Sequence, residues 1–264
     1  MNSKQSAILV VSFGTAVRDT RVRTIEAIER KIEETYPDLA IYHAWTSGML
    51  RKKVYDQEQL AIDSVPQALA RMKQDGIHNI VIQPTFVSHG GEYQKMVQEA
   101  DPFLHQFASV RFGQPLLSEE FLHQESAEAA SHPIISAIMS EFSWLSEDDL
   151  LVFMGHGTSS GENVAYEILD QQFKCLGYEQ VFLKLMKSGS AIDEIIQIAA
   201  DRQIHRIILA PFMIVAGGHA LKDMSGDTND SWKSRLEAAG FPVQCHLKGL
   251  GEYPGIQEIF ATRR

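Results

Sequence analysis

The chain has 264 residues and contains few cysteines and no long apolar run, which excludes several classes of protein. It has two cysteines, Cys175 and Cys245, and no CxxC, so neither a disulfide framework nor a thiolate metal site is predicted. No apolar run approaches the roughly 20 residues that cross a bilayer, and the apolar run near the N-terminus is too short for a signal peptide. We therefore expect a cytoplasmic protein that has no membrane partner.

Positive charge and nucleotide motifs are also scarce. The formal net charge is -10, whereas a protein that binds a nucleic-acid duplex normally presents a basic face. The only dense basic stretch, "RKK" at 51–53, is typical of a solvated surface. No GxxxxGK[ST] phosphate loop occurs, and "GHGTSSG" does not have the spacing of the dinucleotide fingerprint. Nucleic-acid binding and ATP-driven chemistry are therefore not expected.

What the sequence does have is an alternation of short apolar runs with longer helical patterns. The alternation predicts a parallel sheet covered by helices on both faces, and we expect two such α/β halves that face each other across a cleft. We expect the halves to be residues 1–125 and 126–264, with a C-terminal helix near 254–264 packing on the first half. The predicted strands are 7–13, 39–45, 79–87, 150–155, 180–186 and 206–215, and the predicted helices are 20–36, 65–76, 163–177 and 190–203.

The two halves match each other in sequence. "IHNIVIQPTFVSHGGEYQKM" at 77–96 aligns with "IHRIILAPFMIVAGGHALKDM" at 204–224, so that Pro84 corresponds to Pro211 and Glu92 to His219. "LVVSFGTA" at 9–16 aligns with the stretch around His156, so that Phe13 corresponds to His156. Such self-similarity indicates a duplicated unit.

Candidate site residues follow the predicted strands, at the carboxyl ends where open α/β sheets bind ligands. His156 stands between two glycines and His219 follows Gly217 and Gly218, which we expect to turn with positive φ and to let a ligand approach. Imidazoles there suit Co, Ni, Fe and Zn, and they also take up protons near neutral pH. Glu92 is either a ligand or an acidic residue that favours the start of its helix.

Several segments together resemble the anaerobic sirohydrochlorin cobalt chelatases, which are relatives of ferrochelatase. The matching blocks run in family order over nearly the whole chain, and they are "LVVSFGTAVRDT", "AWTSGMLRKKV", "VFMGHGT", "VAGGHALKDM", "DSWKSRL" and "GLGEYPGIQEIF". The resemblance implies a tetrapyrrole bound between two Rossmann-like halves. It also implies insertion of Co²⁺ into sirohydrochlorin without ATP, for cobalamin synthesis.

The resemblance also implies roles for individual residues. His156 corresponds to the principal metal ligand and proton acceptor, His219 to a second metal ligand, and Glu92 to a catalytic glutamate of the cleft. No tightly bound cofactor is expected, because the metal is a substrate: Co²⁺, with Ni²⁺ or Fe²⁺ open. A homo-oligomer is also open. The expected substrate-binding residues are Ser12, Phe13, Gly14, Thr15, Ser47, Met49, Ser88, His89, Gly157 and Lys187.

One departure from the family concerns a third metal ligand. The family usually places a glutamate where this chain has Lys187, and no carboxylate occurs between Val181 and Ser190. Glu92 could supply the carboxylate, or the metal could be held by two histidines and water, or Lys187 could pair with a substrate carboxylate. A tetrapyrrole- or metal-binding carrier, or a chelatase for another metal, is the alternative function.

Overall fold

The computed structural model describes residues 5–122, 124–157, 163–186, 190–218 and 220–263. It divides into two units, one comprising Met1–Glu119 with Ile256–Arg264 and the other comprising Glu120–Gly255. Each unit contains one parallel four-stranded sheet.

The sheet of the first unit has the strand order β2-β1-β3-β4. In its register Val11 lies opposite Pro84 and Ser12 lies opposite Trp45. The strands are β1 (Ser6–Ser12), β2 (Ala40–Trp45), β3 (Asn79–Pro84) and β4 (Ser109–Phe112), and the helices that begin before residue 119 are α1 (Arg18–Arg23), α2 (Ile25–Thr35), α3 (Gly48–Glu58), α4 (Val65–Gln74) and α5 (Gly91–Leu104).

The sheet of the second unit has the corresponding order, β6-β5-β7-β8. Met154 lies opposite Pro211 and Gly155 lies opposite Leu185. The strands are β5 (Asp149–Gly155), β6 (Val181–Leu185), β7 (Arg206–Phe212) and β8 (Val243–Cys245), and the remaining α-helices described are α6 (Gln124–Glu141), α7 (Val164–Cys175), α8 (Ala191–Asp201), α9 (Trp232–Ala238) and α10 (Pro254–Thr262).

The predicted duplication and the α/β class are confirmed by the register of the two sheets. The sequence alignment equates Pro84 with Pro211, and these prolines pair with Val11 and Met154, which the alignment also equates. The loop after β1 and the loop after β5 therefore begin at the same point of their sheets. The shared register determines which side chains lie at the carboxyl edge of each sheet.

Strands β1 and β5 are buried along nearly their whole length because helices cover both faces of each sheet. Every residue of β5 is buried, and in β1 only Ser6 is not. Core residues of the first unit include Leu9, Ile82 and Met96, and those of the second include Val152, Ile195 and Leu209. These cores fix the strands from which the site loops emerge.

The fold differs from the sequence-based expectation in several features, and α3, α6 and α9 are helices that were not predicted. The helix predicted over 20–36 is interrupted at Thr24, whose φ of -114° and ψ of -81° are not helical and whose hydroxyl donates to the Thr20 carbonyl at 2.6 Å. The edge strands β4 and β8 were not predicted, because they have four and three residues and carry no long apolar run. Among the described residues, no helix is long and apolar enough to cross a bilayer.

We predict that His43 makes the stability of the first unit depend on pH. The His43 ring lies between two glutamates of α2, with Nδ1 3.1 Å from Glu29 Oε1 and Nε2 3.5 Å from Glu33 Oε1. Burial lowers the pKa of His43, but the nearby Glu29 and Glu33 carboxylates outweigh burial and raise its pKa above the ordinary value. The stabilisation is therefore complete below the unfolded pKa and is lost as pH rises through the folded pKa.

The test is urea unfolding of wild type and His43→Gln across the range from mildly acidic to mildly basic pH. The variant should be less stable in acid, and the difference should shrink as pH rises. His205→Gln, which changes an exposed histidine, is the matched control. If the difference in unfolding free energy between wild type and His43→Gln does not vary with pH, the interpretation is wrong.

Candidate functional site

A glycine with positive φ follows the first strand of each sheet, Gly14 after β1 and Gly157 after β5. Gly14 has a φ of +105° and Gly157 a φ of +72°, in the region that side chains rarely adopt. A Cβ at Gly14 would clash with the Trp45 ring, lying 2.7 Å from Cδ2, and a Cβ at Gly157 would lie 3.4 Å from Leu185 Cδ1. Trp45 and Leu185 occupy matching positions of β2 and β6, so both loops are packed against the neighbouring strand.

His156 stands at the carboxyl end of β5, between Gly155 and Gly157. Its side chain is exposed, whereas the strand that precedes it is buried. The Gly155 carbonyl accepts from the Met186 backbone N–H at 2.8 Å, which ties the loop to the end of β6. A rigid backbone thus presents an accessible imidazole, and such a group can bind a metal or accept a proton.

The other predicted second-half site residues, His219 and Lys187, lie outside the described residues. The expectation of positive φ at the glycines before His219 is wrong: neither Gly217 nor Gly218 has it, and a Cβ on either would meet no atom within 4 Å. A side chain at either glycine would therefore have room, and the Gly217 backbone N–H donates to the Val215 carbonyl at 2.9 Å in a three-residue turn. Within the described parts of the chain, no three His, Cys, Asp or Glu side chains come together in a way that could hold a metal.

Ser12 and Thr15 form hydrogen bonds that stabilise the loop after β1. Both are buried. The Ser12 hydroxyl and the Thr85 hydroxyl are 2.8 Å apart, which links β1 to the end of β3, and the Thr15 hydroxyl accepts from the Val17 backbone N–H at 3.3 Å. Their polar atoms are used inside the protein, in contrast to the exposed side chain of Phe13 between them.

Phe13, in the loop after β1, and Met49, in the first turn of α3, both expose apolar side chains. Phe13 is 44% exposed and Met49 is 74% exposed. The Phe13 carbonyl accepts from the Ser47 backbone N–H at 3.3 Å, and the Ser47 hydroxyl caps α3 by accepting from the Leu50 backbone N–H at 3.3 Å. The Ser47 cap therefore fixes the first turn of α3, from which Met49 projects, next to the Phe13 loop.

Glu92 lies in the first turn of α5 and accepts a 2.6 Å hydrogen bond at Oε2 from the Thr46 hydroxyl. The Thr46 carbonyl in turn accepts from Lys95 Nζ at 2.7 Å, and its backbone N–H donates to the Ser12 carbonyl at 2.9 Å. The hydrogen bond of Glu92 thus goes to the end of β2 and not to the N–H groups of its own helix. Glu92 is held in place while Oε1 accepts no hydrogen bond from the described residues.

His89 and Ser88 occupy the loop between β3 and α5, and both are half-buried. The His89 ring packs edge-on against Tyr93, with centroids 4.5 Å apart. Burial, and to a smaller extent the charge of Glu119, raises the pKa of Tyr93, so its ring stays neutral beside His89.

Sequence reasoning missed the ion pair that joins α1 to α3, the helices that follow β1 and β2. Arg21 of α1 is buried and donates from Nη1 and Nη2 to both carboxylate oxygens of Glu58, at 3.0 and 2.7 Å, and from Nε to Glu26 at 3.0 Å. Glu58 is the last residue of α3, so this contact connects the two helices. No local pattern identifies such a partner, because the two residues are 37 positions apart.

Comparison with known proteins gives consistent matches over the whole chain. A family model described as cobalt chelatase (CbiK) matches residues 6–264. A sirohydrochlorin cobaltochelatase of Salmonella typhimurium is 34% identical over 258 residues, covering 98% of this chain and 94% of that protein. The sirohydrochlorin cobaltochelatase CbiKC of Nitratidesulfovibrio vulgaris is 27% identical over 258 residues, covering 97% of this chain and 88% of that protein.

Two solved structures share the fold. SirB from Bacillus subtilis, solved with Fe³⁺, has a TM-score of 0.63 and 14% identity and covers 98% of this chain and 94% of its own. CbiX, described as the terminal enzyme of sirohaem biosynthesis in denitrifying bacteria, has a TM-score of 0.54 and 16% identity and covers 97% of this chain and 96% of its own. At these identities the likeness concerns the fold alone.

We predict that Gly14→Ala destabilises the first unit more than Gly76→Ala does. Both glycines have positive φ, so each substitution should cost about 1–2 kcal/mol in backbone strain. Only Gly14 faces an atom that blocks a Cβ, since nothing lies within 4 Å of the Gly76 position. Overlap with the Trp45 ring should add about 1–3 kcal/mol. Equal losses of unfolding free energy in denaturant titrations would contradict this.

Proposed function

The chain belongs to the cobalt chelatase (CbiK) family, and from this we propose that it inserts Co²⁺ into sirohydrochlorin without ATP, in anaerobic cobalamin synthesis. The observation that carries the proposal is that the family match spans both repeats, from residue 6 to residue 264, and that both curated relatives above are named for this activity. The proposal includes a cytoplasmic location and no tightly bound cofactor. It leaves open whether the enzyme is a homo-oligomer.

Metal insertion exchanges two pyrrole N–H protons for one divalent cation. Each turnover therefore consumes one Co²⁺ and one metal-free macrocycle and releases two protons. The protein must accept these protons and hold the metal weakly enough to give it up. A neutral imidazole can do both in turn, and a positioned proton acceptor contributes roughly 10²–10⁴-fold to the rate.

His156 is assigned the roles of metal ligand and proton acceptor. Its support is its exposed side chain on a loop whose backbone is fixed by Gly157 and by the hydrogen bond from Met186 to Gly155. His219 is assigned the second ligand from its place in the repeat. Imidazole ligands serve Co²⁺, Ni²⁺ and Fe²⁺ alike, so the choice of Co²⁺ rests on the family.

Glu92 is assigned as the carboxylate of the site. Thr46 donates to its Oε2, and this hydrogen bond fixes the position of a carboxylate that can receive a proton or contact a cation. The arrangement leaves Oε1 for substrate. The family has a glutamate where this chain has Lys187. In this proposal Glu92, from the first repeat, supplies the carboxylate instead.

The exposed apolar side chains of Phe13 and Met49 are assigned as the surface that contacts the macrocycle. Aromatic and thioether groups pack well against flat conjugated rings. Gly14 and Gly157 let the backbone approach the ring, and Ser12 and Thr15 hold the first loop in place. The polar residues Ser47, Ser88 and His89, together with Lys187, are assigned to the polar groups at its rim.

A second candidate function follows from Lys187 itself. An ammonium group is not a usual ligand of a divalent cation at neutral pH, because it is protonated. A protein that had lost the third ligand would bind the tetrapyrrole or the metal as a carrier and would not turn over. Multiple turnover separates the two functions.

We predict that His156→Ala lowers the rate of Co²⁺ insertion at least about 10²-fold while the fold is retained. Since the side chain is exposed, its removal leaves no cavity in the core. Insertion is followed by the absorbance of sirohydrochlorin under anaerobic conditions, with unfolding midpoints measured on the same samples. His205→Ala removes another exposed imidazole and should behave as wild type. Wild-type turnover in His156→Ala would refute the assigned role.

A further inference from the structure

A pocket opens on the surface of the first unit, between α3 and the segment that leads into α4. Its volume is about 300 Å³. Gly48, Arg51, Lys52 and Tyr55 line it from α3, and Ile62 and Gln67 line it from the other side. Gly48 lies between Ser47 and Met49, both proposed to contact substrate, so the pocket adjoins the surface proposed to contact the macrocycle.

Arg51 is the cation of this pocket for which the described residues provide no carboxylate partner. Lys52 forms an ion pair with Asp56 at 2.7 Å, and the one acidic residue of the lining, Asp63, is 2.9 Å from Arg71. Arg51 Nη1 makes only a long contact of 3.4 Å to Gln67 Oε1. Its Nε is buried and has no hydrogen-bond acceptor within the described residues.

Such a guanidinium is suited to a carboxylate. Arginine remains protonated and offers parallel N–H donors that match two carboxylate oxygens. A buried donor without an acceptor is unfavourable, so an incoming acceptor gains more than a water-exposed contact would. The exposed side of Tyr55 and the half-buried Ile62 can pack against the alkyl part of the same substituent.

We propose that Arg51 binds a peripheral carboxylate of the tetrapyrrole in this pocket. The inference rests on the proposed function and specifies which part of the substrate the first unit recognises. With a net charge of -10, the protein repels a polyanionic macrocycle as a whole, so a local cation is needed to receive it. An inorganic phosphate offers the same kind of oxygens, and the experiment distinguishes the two.

The test compares wild type, Arg51→Met, Arg51→Lys and the control Lys53→Met. Lys53 is exposed on the same helix and does not line the pocket, so its change removes one positive charge and nothing else. The Kd of metal-free sirohydrochlorin is measured by fluorescence titration, and KM and kcat are measured in the insertion assay. Unfolding midpoints establish that each variant is folded.

Arg51→Met should raise Kd and KM by about 10-fold or more and leave kcat nearly unchanged, since the contact is made equally before and during the reaction. Arg51→Lys should lie between Arg51→Met and wild type, because it keeps the charge and loses the paired donors. Lys53→Met should match wild type. The effect of Arg51→Met should diminish as salt is added.

Each remaining outcome overturns a definite part of the account. If wild type inserts Co²⁺ and Arg51→Met binds sirohydrochlorin like Lys53→Met, the inference fails and the proposed function stands. If wild type binds sirohydrochlorin without insertion, the proposed function fails and the Kd values still decide the role of Arg51. Wild type that binds no sirohydrochlorin overturns both. If Arg51→Met changes only the binding of inorganic phosphate, at matched ionic strength, the pocket is a phosphate site.

Discussion

The site of this protein depends on a steric constraint at the ends of two strands. At Gly14 the chain turns with positive φ directly against the Trp45 ring, and at Gly157 it does so against Leu185. The positive φ favours glycine at both positions, and at Gly14 the Trp45 ring also leaves no space for a Cβ. The turn ends the strand at a fixed point and leaves the preceding side chain, Phe13 or His156, exposed at the carboxyl edge.

The two repeats have sheets with the same strand order but carry different side chains at corresponding positions. In the sequence alignment of the repeats, Phe13 corresponds to His156 and Glu92 corresponds to His219. The register equates Trp45 with Leu185, because the two residues pair identically with the first strand of each sheet. The proposed metal ligands thus belong to the second repeat, and most of the proposed contacts with the macrocycle belong to the first.

The sequence was sufficient for what is set by local pattern and repeated packing. Buried strands rich in Val and Ile, together with the match of Pro84 to Pro211, predicted the two parallel sheets and their common register. It was insufficient where long-range partners decide the outcome. The "RKK" stretch was interpreted as a solvated surface, since no pattern reveals that Lys52 is paired with a carboxylate while Arg51 is not. Nor could spacing show that the Glu92 hydrogen bond goes to Thr46.

The most direct test of the account is the number of Co²⁺ ions that one protein molecule inserts. Wild type and Lys187→Glu are each mixed anaerobically with excess Co²⁺ and excess sirohydrochlorin, and product is followed by absorbance. The account predicts many products per molecule of wild type, because two imidazoles and the Glu92 carboxylate suffice for insertion and release. A wild-type reaction that stops after about one equivalent, while Lys187→Glu continues, would contradict it and identify the protein as a carrier.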